Sequence, residues 1–104
     1  MYHFYISRHF KKILKPYLKK HQLFLDDIIA ALHEFDKRTS IALGANTYKM
    51  RLASQGTPRG KSGSFRMIIL LLEINNIITP LVLYLKNERS SISQKEIMNH
   101  AKII

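Results

Sequence analysis

Lys49 and Arg51 stand two residues apart in Thr47-Tyr48-Lys49-Met50-Arg51-Leu52-Ala53, where apolar and polar side chains alternate. On a strand this spacing puts the two cations on one face about 7 Å apart and turns Tyr48, Met50 and Leu52 the other way. Arg66 closes the loop Gly60-Lys61-Ser62-Gly63-Ser64-Phe65, just where an apolar run from Met67 to Leu72 begins. A guanidinium held at the entry of a buried strand has a stiff backbone behind it and suits phosphate. In a third alternating run Tyr84 and Lys86 share a face, while Leu81, Leu83 and Leu85 are expected to face the core. Read blandly, the same side chains are a solvated face and the Gly/Ser loop is a hairpin tip.

A strip of cations with one aromatic can handle a phosphodiester. Arg side chains neutralise charge that grows on phosphoryl oxygens, and an RNA substrate brings its own nucleophile in the 2′-OH. A lysine crowded by other cations has its charged form disfavoured, which moves it toward proton transfer. Lys49 or Lys86 would be such a base, and Tyr84 would stack on a nucleobase or move a proton. Other chemistries lack their parts. No cluster of carboxylates suits Mg2+, and Gly60-Lys61-Ser62 lacks the earlier glycine of a Walker loop and opens a strand where a helix is needed. His3, His9, His21, His33 and His100 do not fall at metal-ligand spacing. No metal and no small-molecule cofactor is expected.

These residues need a sheet to position them. Met67–Leu72, apolar on both faces, reads as its central strand. Asn75-Asn76 suits a tight turn, and residues 77–86 return as a further strand, with Pro80 tolerable only near a strand start or at an edge. Residues 2–6 form a short first strand. From Arg8, Phe10, Leu14, Tyr17 and Leu18 recur at helical spacing opposite five lysines; Ser7 can cap this helix and Pro16 should kink or divide it. A second helix is expected over 22–38, joined to the first near His21, with Leu25, Ile28, Ile29, Leu32 and Phe35 as its apolar stripe. Residues 39–46 read as a loop, 54–64 as a longer connection, and Ser91 or Ser93 can cap a last helix over 94–102. Two N-terminal helices packed on a small, mainly antiparallel sheet, followed by a short C-terminal helix, make a two-layer α+β domain.

The chain has 104 residues, room for a single domain over 1–104. With no cysteine, a disulfide scaffold, a thiol nucleophile and a Cys-ligated zinc are all excluded. A reducing cytosol is compatible with that. Seventeen Lys and Arg against seven Asp and Glu give a net charge of +10, a field that attracts polyanions. The apolar window 67–85 is broken by Glu73, Asn75, Asn76 and Pro80, so it reads as a hairpin and no membrane partner is expected. The apolar start, residues 1–6, is too short for a signal peptide and lacks a basic lead-in.

Three motifs in order carry a resemblance: Tyr48-Lys49-Met50-Arg51-Leu52-Ala53, then Gly60-Lys61-Ser62-Gly63-Ser64-Phe65-Arg66-Met67-Ile68, then Tyr84-Leu85-Lys86-Asn87-Glu88-Arg89 ahead of a terminal helix. Together they resemble the HigB branch of the RelE/ParE toxin superfamily. The resemblance implies a RelE-like fold and the toxin of a type II toxin-antitoxin system. It implies a cytoplasmic, ribosome-dependent mRNA endoribonuclease that works without metal, inhibits translation and is silenced by a helix-turn-helix, HigA-like antitoxin. Its partners would be that antitoxin, the ribosome and mRNA. The family's basic cleft would map onto Lys49, Arg51 and Arg66, with Lys61 and Lys86; the reading of the cationic face adds Tyr84, for a catalytic set of Lys49, Arg51, Arg66, Tyr84 and Lys86, and sets Arg59 beside Lys61 as RNA-binding. Relatives place a Tyr or His near the C-terminal helix as general acid. Ser90 to Gln94 offer none, and Tyr84 stands in. The superfamily includes gyrase inhibitors, so a non-enzymatic toxin and a plain basic nucleic-acid-binding module remain alternatives.

Overall fold

The structure is a computed structural model; it describes residues 2–20, 25–52, 65–86 and 88–104. The elements follow the order β1 (His3–Phe4), α1 (Arg8–Lys20), α2 (Leu25–His33), β2 (Ile41–Gly44), β3 (Thr47–Leu52), β4 (Phe65–Leu72), β5 (Ile77–Leu85) and α3 (Gln94–Ile103). The strands form one five-stranded sheet in the order β1-β5-β4-β3-β2, antiparallel except for β1 beside β5. The apolar run is thus the central strand, with Phe65, Met67, Ile68, Ile69 and Leu71 buried.

Alternation along β3, β4 and β5 sorts the side chains onto two faces. One face carries Leu52, Phe65, Met67, Ile69, Leu71, Leu83 and Leu85, and packs on Phe10 and Leu14 of α1 and on Ile28, Ala31 and Leu32 of α2. The other carries Ile68, Val82 and Tyr84, packed with Ile97 of α3. The expected α+β architecture is what the chain adopts, with α3 covering part of the face that the N-terminal helices leave open.

Local chemistry accounts for most element ends. The Phe10 amide donates to Ser7 Oγ at 3.0 Å, and the Glu96 amide donates to Ser93 Oγ at 3.2 Å, so both serine caps form. Helix α1 runs through Pro16 without a break. The carbonyl that Pro16 deprives of a donor belongs to Lys12, and both residues are exposed, so water can serve it. Helix α2 ends at His33, short of the expected position 38, and leaves Leu25 and Ile29 exposed. Lys37 and Arg38 lie beyond it and pair with Glu73 and Asp36 at 2.9 and 3.0 Å.

Two further expectations, both about strands, need correction. Residues 41–44, read as loop, are strand β2, joined to β3 through Ala45 and Asn46, whose φ values of 52° and 62° are those of a tight hairpin turn. The strand is nearly all exposed and so shows no alternation in the sequence. On β5, Ile68 pairs with Val82 while Ile69 pairs with Pro80, so a bulge falls at Leu81. Leu81 consequently packs with Val82 and Ile97, apart from Leu83 and Leu85. Pro80 is tolerated because β1 pairs only with Ile77 and Ile78 and leaves that flank of β5 free of ladder bonds to β1.

Candidate functional site

The sheet register builds the site. Arg51 on β3 is the Cα partner of Arg66 on β4, and Arg66 is the Cα partner of Tyr84 on β5. Directly opposed residues on neighbouring strands share a face at about 5 Å spacing, so the three form one transverse row. Lys49 stands two residues along β3 on the same face, opposite Ile68 and then Val82. Lys86 is exposed just past the end of β5. Arg59 and Lys61 lie outside the described residues.

Within the row the side chains differ in freedom. Arg51 is exposed and Arg66 half-buried, its Nη1 donating to its neighbour's carbonyl, Phe65 O, at 3.0 Å. That bond turns the guanidinium back over the strand entry and restricts its rotamers. Tyr84 is only 3% exposed and packs with Ile97. It has no free face on which a nucleobase could stack, which closes one of its two expected roles. Burial pushes the Tyr84 phenol above its ordinary value, while Arg66 and Arg89 pull it back. The hydroxyl is therefore protonated at neutral pH.

Sequence reasoning left Arg89 and the histidines unassigned. Arg89 makes a two-pronged ion pair with Glu96 on α3, at 2.6 and 2.7 Å, and reaches the field of Tyr84 from the chain segment after β5. It stands in the quoted Tyr84-to-Arg89 run, which is the signal that could have found it. Tyr17 of α1 donates to Glu88 in the same segment at 3.2 Å, and its ring meets Phe65 edge-on at 5.6 Å. Farther along α3, His100 Nδ1 lies 2.7 Å from His9 Nε2 on α1. No sequence spacing could have shown that contact, because the two residues are 91 positions apart. Burial first, then the charge of His9, holds the His100 imidazole below its ordinary value.

Beside the row, between α2 and the edge of β3, lies a cavity of about 510 Å³. Lys49, Met50 and Arg51 line one side, and Asp27, Glu34 and Asp36 are on the other. Strand β2 pairs with β3 only as far as Lys49, and the strand edge at Met50 and Arg51 borders this space. Arg51, a member of the row, and Lys49 thus also border a space lined by three carboxylates. Among the described residues no group of three His, Asp or Glu side chains is arranged to hold a metal ion. No described helix is long and apolar enough to cross a membrane.

Comparison with known proteins agrees with the topology. E. coli toxin RelE, solved in the free state as a double arginine-to-alanine mutant, superposes with a TM-score of 0.50 at 13% identity, covering 97% of this chain and 94% of that one. At that identity the likeness speaks for the fold alone. No curated protein matches the sequence. The family described as "RelE toxin of RelE / RelB toxin-antitoxin system" matches residues 4–104, nearly the whole chain, from β1 through α3. A cationic row on one face of a RelE-like sheet and a family match of that span lead to one conclusion: the chain belongs to the RelE toxin family of toxin-antitoxin systems, and a cognate antitoxin is its partner.

Proposed function

We propose that the protein is a ribosome-dependent mRNA endoribonuclease of the HigB-like branch, acting in the cytoplasm. The observation that carries this reading is the Arg51–Arg66–Tyr84 row across three hydrogen-bonded strands. In the proposed reaction a 2′-OH of mRNA attacks the adjacent phosphorus. Its proton passes to a base, Lys49 or Lys86, as the O2′–P bond forms. Charge gathering on the phosphoryl oxygens is met by Arg51 and Arg66. The P–O5′ bond then breaks with a proton from the Tyr84 hydroxyl, leaving a 2′,3′-cyclic phosphate and a 5′-OH. Arg59 and Lys61 hold flanking RNA in this scheme, and the ribosome orients the strand, since two bound arginines alone do not select an in-line geometry. The antitoxin, of helix-turn-helix type, silences the toxin by denying RNA this row.

One observation favours a toxin without chemistry: the burial of the Tyr84 ring, which leaves only its hydroxyl edge for a substrate. Induced expression in bacteria, with 5′ ends of transcripts mapped within minutes, separates the readings. Wild type should produce cuts that need ongoing translation. Arg66→Ala should lose them by about 10²-fold or more with the fold intact by circular dichroism. Growth arrest with intact transcripts would transfer the reading to a gyrase inhibitor, and normal growth would leave a basic binding module.

A further inference from the structure

Helix α1 carries Arg8, Lys11, Lys12, Lys15 and Lys19, and all five are exposed. At 100° per residue they fall within a sector of about 100°, over about 16 Å of helix axis. Phe10 and Leu14, on the opposite side of the helix, are 0% and 3% exposed in the core. The helix holds no acidic residue, and none of the five cations is ion-paired among the described residues. This stripe is distinct from the cationic row. Helix α1 packs on the sheet face of Met67, Leu83 and Leu85, whereas Arg51, Arg66 and Tyr84 belong to the opposite face.

We infer that the α1 stripe is a second nucleic-acid surface, one that docks on the phosphate backbone of double-stranded RNA. Unpaired like charges in a row repel one another, and a polyanion relieves that repulsion. A nucleic-acid duplex presents one negative charge per about 1.7 Å of axis, so 16 Å of helix meets a row of phosphates along its whole length. Duplex RNA is held mostly through phosphate and 2′-OH contacts, for which lysines without a base-reading arrangement suffice. An anionic membrane fits less well, because the apolar side of α1 is already buried in the core and cannot enter lipid. An acidic protein fits less well too, since protein interfaces use aromatic and apolar anchors and are depleted in lysine. The choice of RNA over DNA rests on the RNA reading of the row; the stripe itself does not. With phosphate contacts on both sides of the sheet, the protein would grip structured RNA with α1 and present the row to a second strand.

The test uses the whole protein without ribosomes, so that failure of the cleavage reading cannot disturb it. A fluorescent 20-base-pair RNA duplex, the same duplex as DNA, and phosphatidylglycerol vesicles are each titrated with wild type, with the triple variant Lys11→Gln/Lys15→Gln/Lys19→Gln, and with Arg66→Ala, across a salt series. Glutamine keeps helix propensity, and circular dichroism checks the fold. The triple variant should bind at least about tenfold more weakly, and its slope of log affinity against log salt should shrink by about 2 to 3. Arg66→Ala should change the slope by no more than about 1. Unchanged duplex binding by a folded triple variant overturns the inference. Loss confined to anionic phosphatidylglycerol vesicles overturns it in favour of a membrane, and tighter, stripe-dependent binding of a DNA duplex overturns RNA as the occupant.

Discussion

Tyr84 is placed for packing and, in the proposed reaction, for chemistry as well. Its ring is part of the cluster beneath α3, and its hydroxyl lies in the fields of Arg66 and Arg89. Tyr84→Phe keeps the ring and removes only the hydroxyl. If Tyr84 is the general acid of the proposed reaction, cleavage on the ribosome should fall by about 10²-fold or more, with thermal stability nearly unchanged. Equal loss of stability and activity would mean that the hydroxyl is structural. His100 acts at the same scale. The charged and titratable groups around it are His9, Glu96 and Arg89, and its imidazole is held below the ordinary value of about 6.5. In the window between those two values the unfolded chain binds more protons than the folded one, so stability rises with pH. The contribution is complete above about 6.5 and is lost as pH falls through the folded value. Melting temperatures from pH 7.5 to 5 should show a fall that His100→Gln flattens. The carboxylates of Asp36 and Glu96, both shifted downward, titrate in a more acidic window and do not mimic it.

At the scale of elements, α3 is the piece on which the site depends most. It covers Ile68, Leu81, Val82 and Tyr84 through Ile97, and is tied to the rest by the Arg89–Glu96 ion pair and the His9–His100 contact. Arg89 and Glu96 are partly exposed, so that pair contributes little by itself, and the docking energy lies in Ile97. Ile97→Ala should destabilise the fold by about 2 to 4 kcal/mol in denaturant unfolding and raise the exposure of Tyr84 to solvent. A loss under about 1 kcal/mol would show that α3 is held from elsewhere. The bulge at Leu81 matters for the same reason. It turns that leucine toward Ile97 and gives α3 a wider apolar seat than strict alternation on β5 would provide.

The whole molecule is dominated by its charge. Ten excess positive charges on 104 residues repel one another in the compact state. Screening should therefore stabilise the free protein: the melting temperature should rise between about 0.02 and 0.3 M NaCl, as the Debye length shortens to below 10 Å. A flat or falling curve would mean that the few acidic pairs outweigh the repulsion. The same field makes an antitoxin a stabiliser as well as an inhibitor if it brings negative charge to either cationic surface.

Much of this was legible in the sequence because it follows from local rules. Alternation placed Lys49 with Arg51; an unbroken apolar run marked Met67–Leu72 as the central strand; helical spacing found the buried side of α1; serines announced two caps; and the motif order pointed to the RelE superfamily. What stayed hidden depends on contacts that only folding makes. Strand β2 exists because β3 offers it backbone partners, and its exposed side chains carry no pattern. The Leu81 bulge is decided by register between β4 and β5, which local alternation cannot count. The burial of the Tyr84 ring and the meeting of His9 with His100 both come from where α3 docks. By itself the sequence determined which side chains of α1 and β3 face which way. Tertiary structure decided which elements lie side by side, because strand pairing and helix docking join residues whose distance along the chain is no guide to their distance in space.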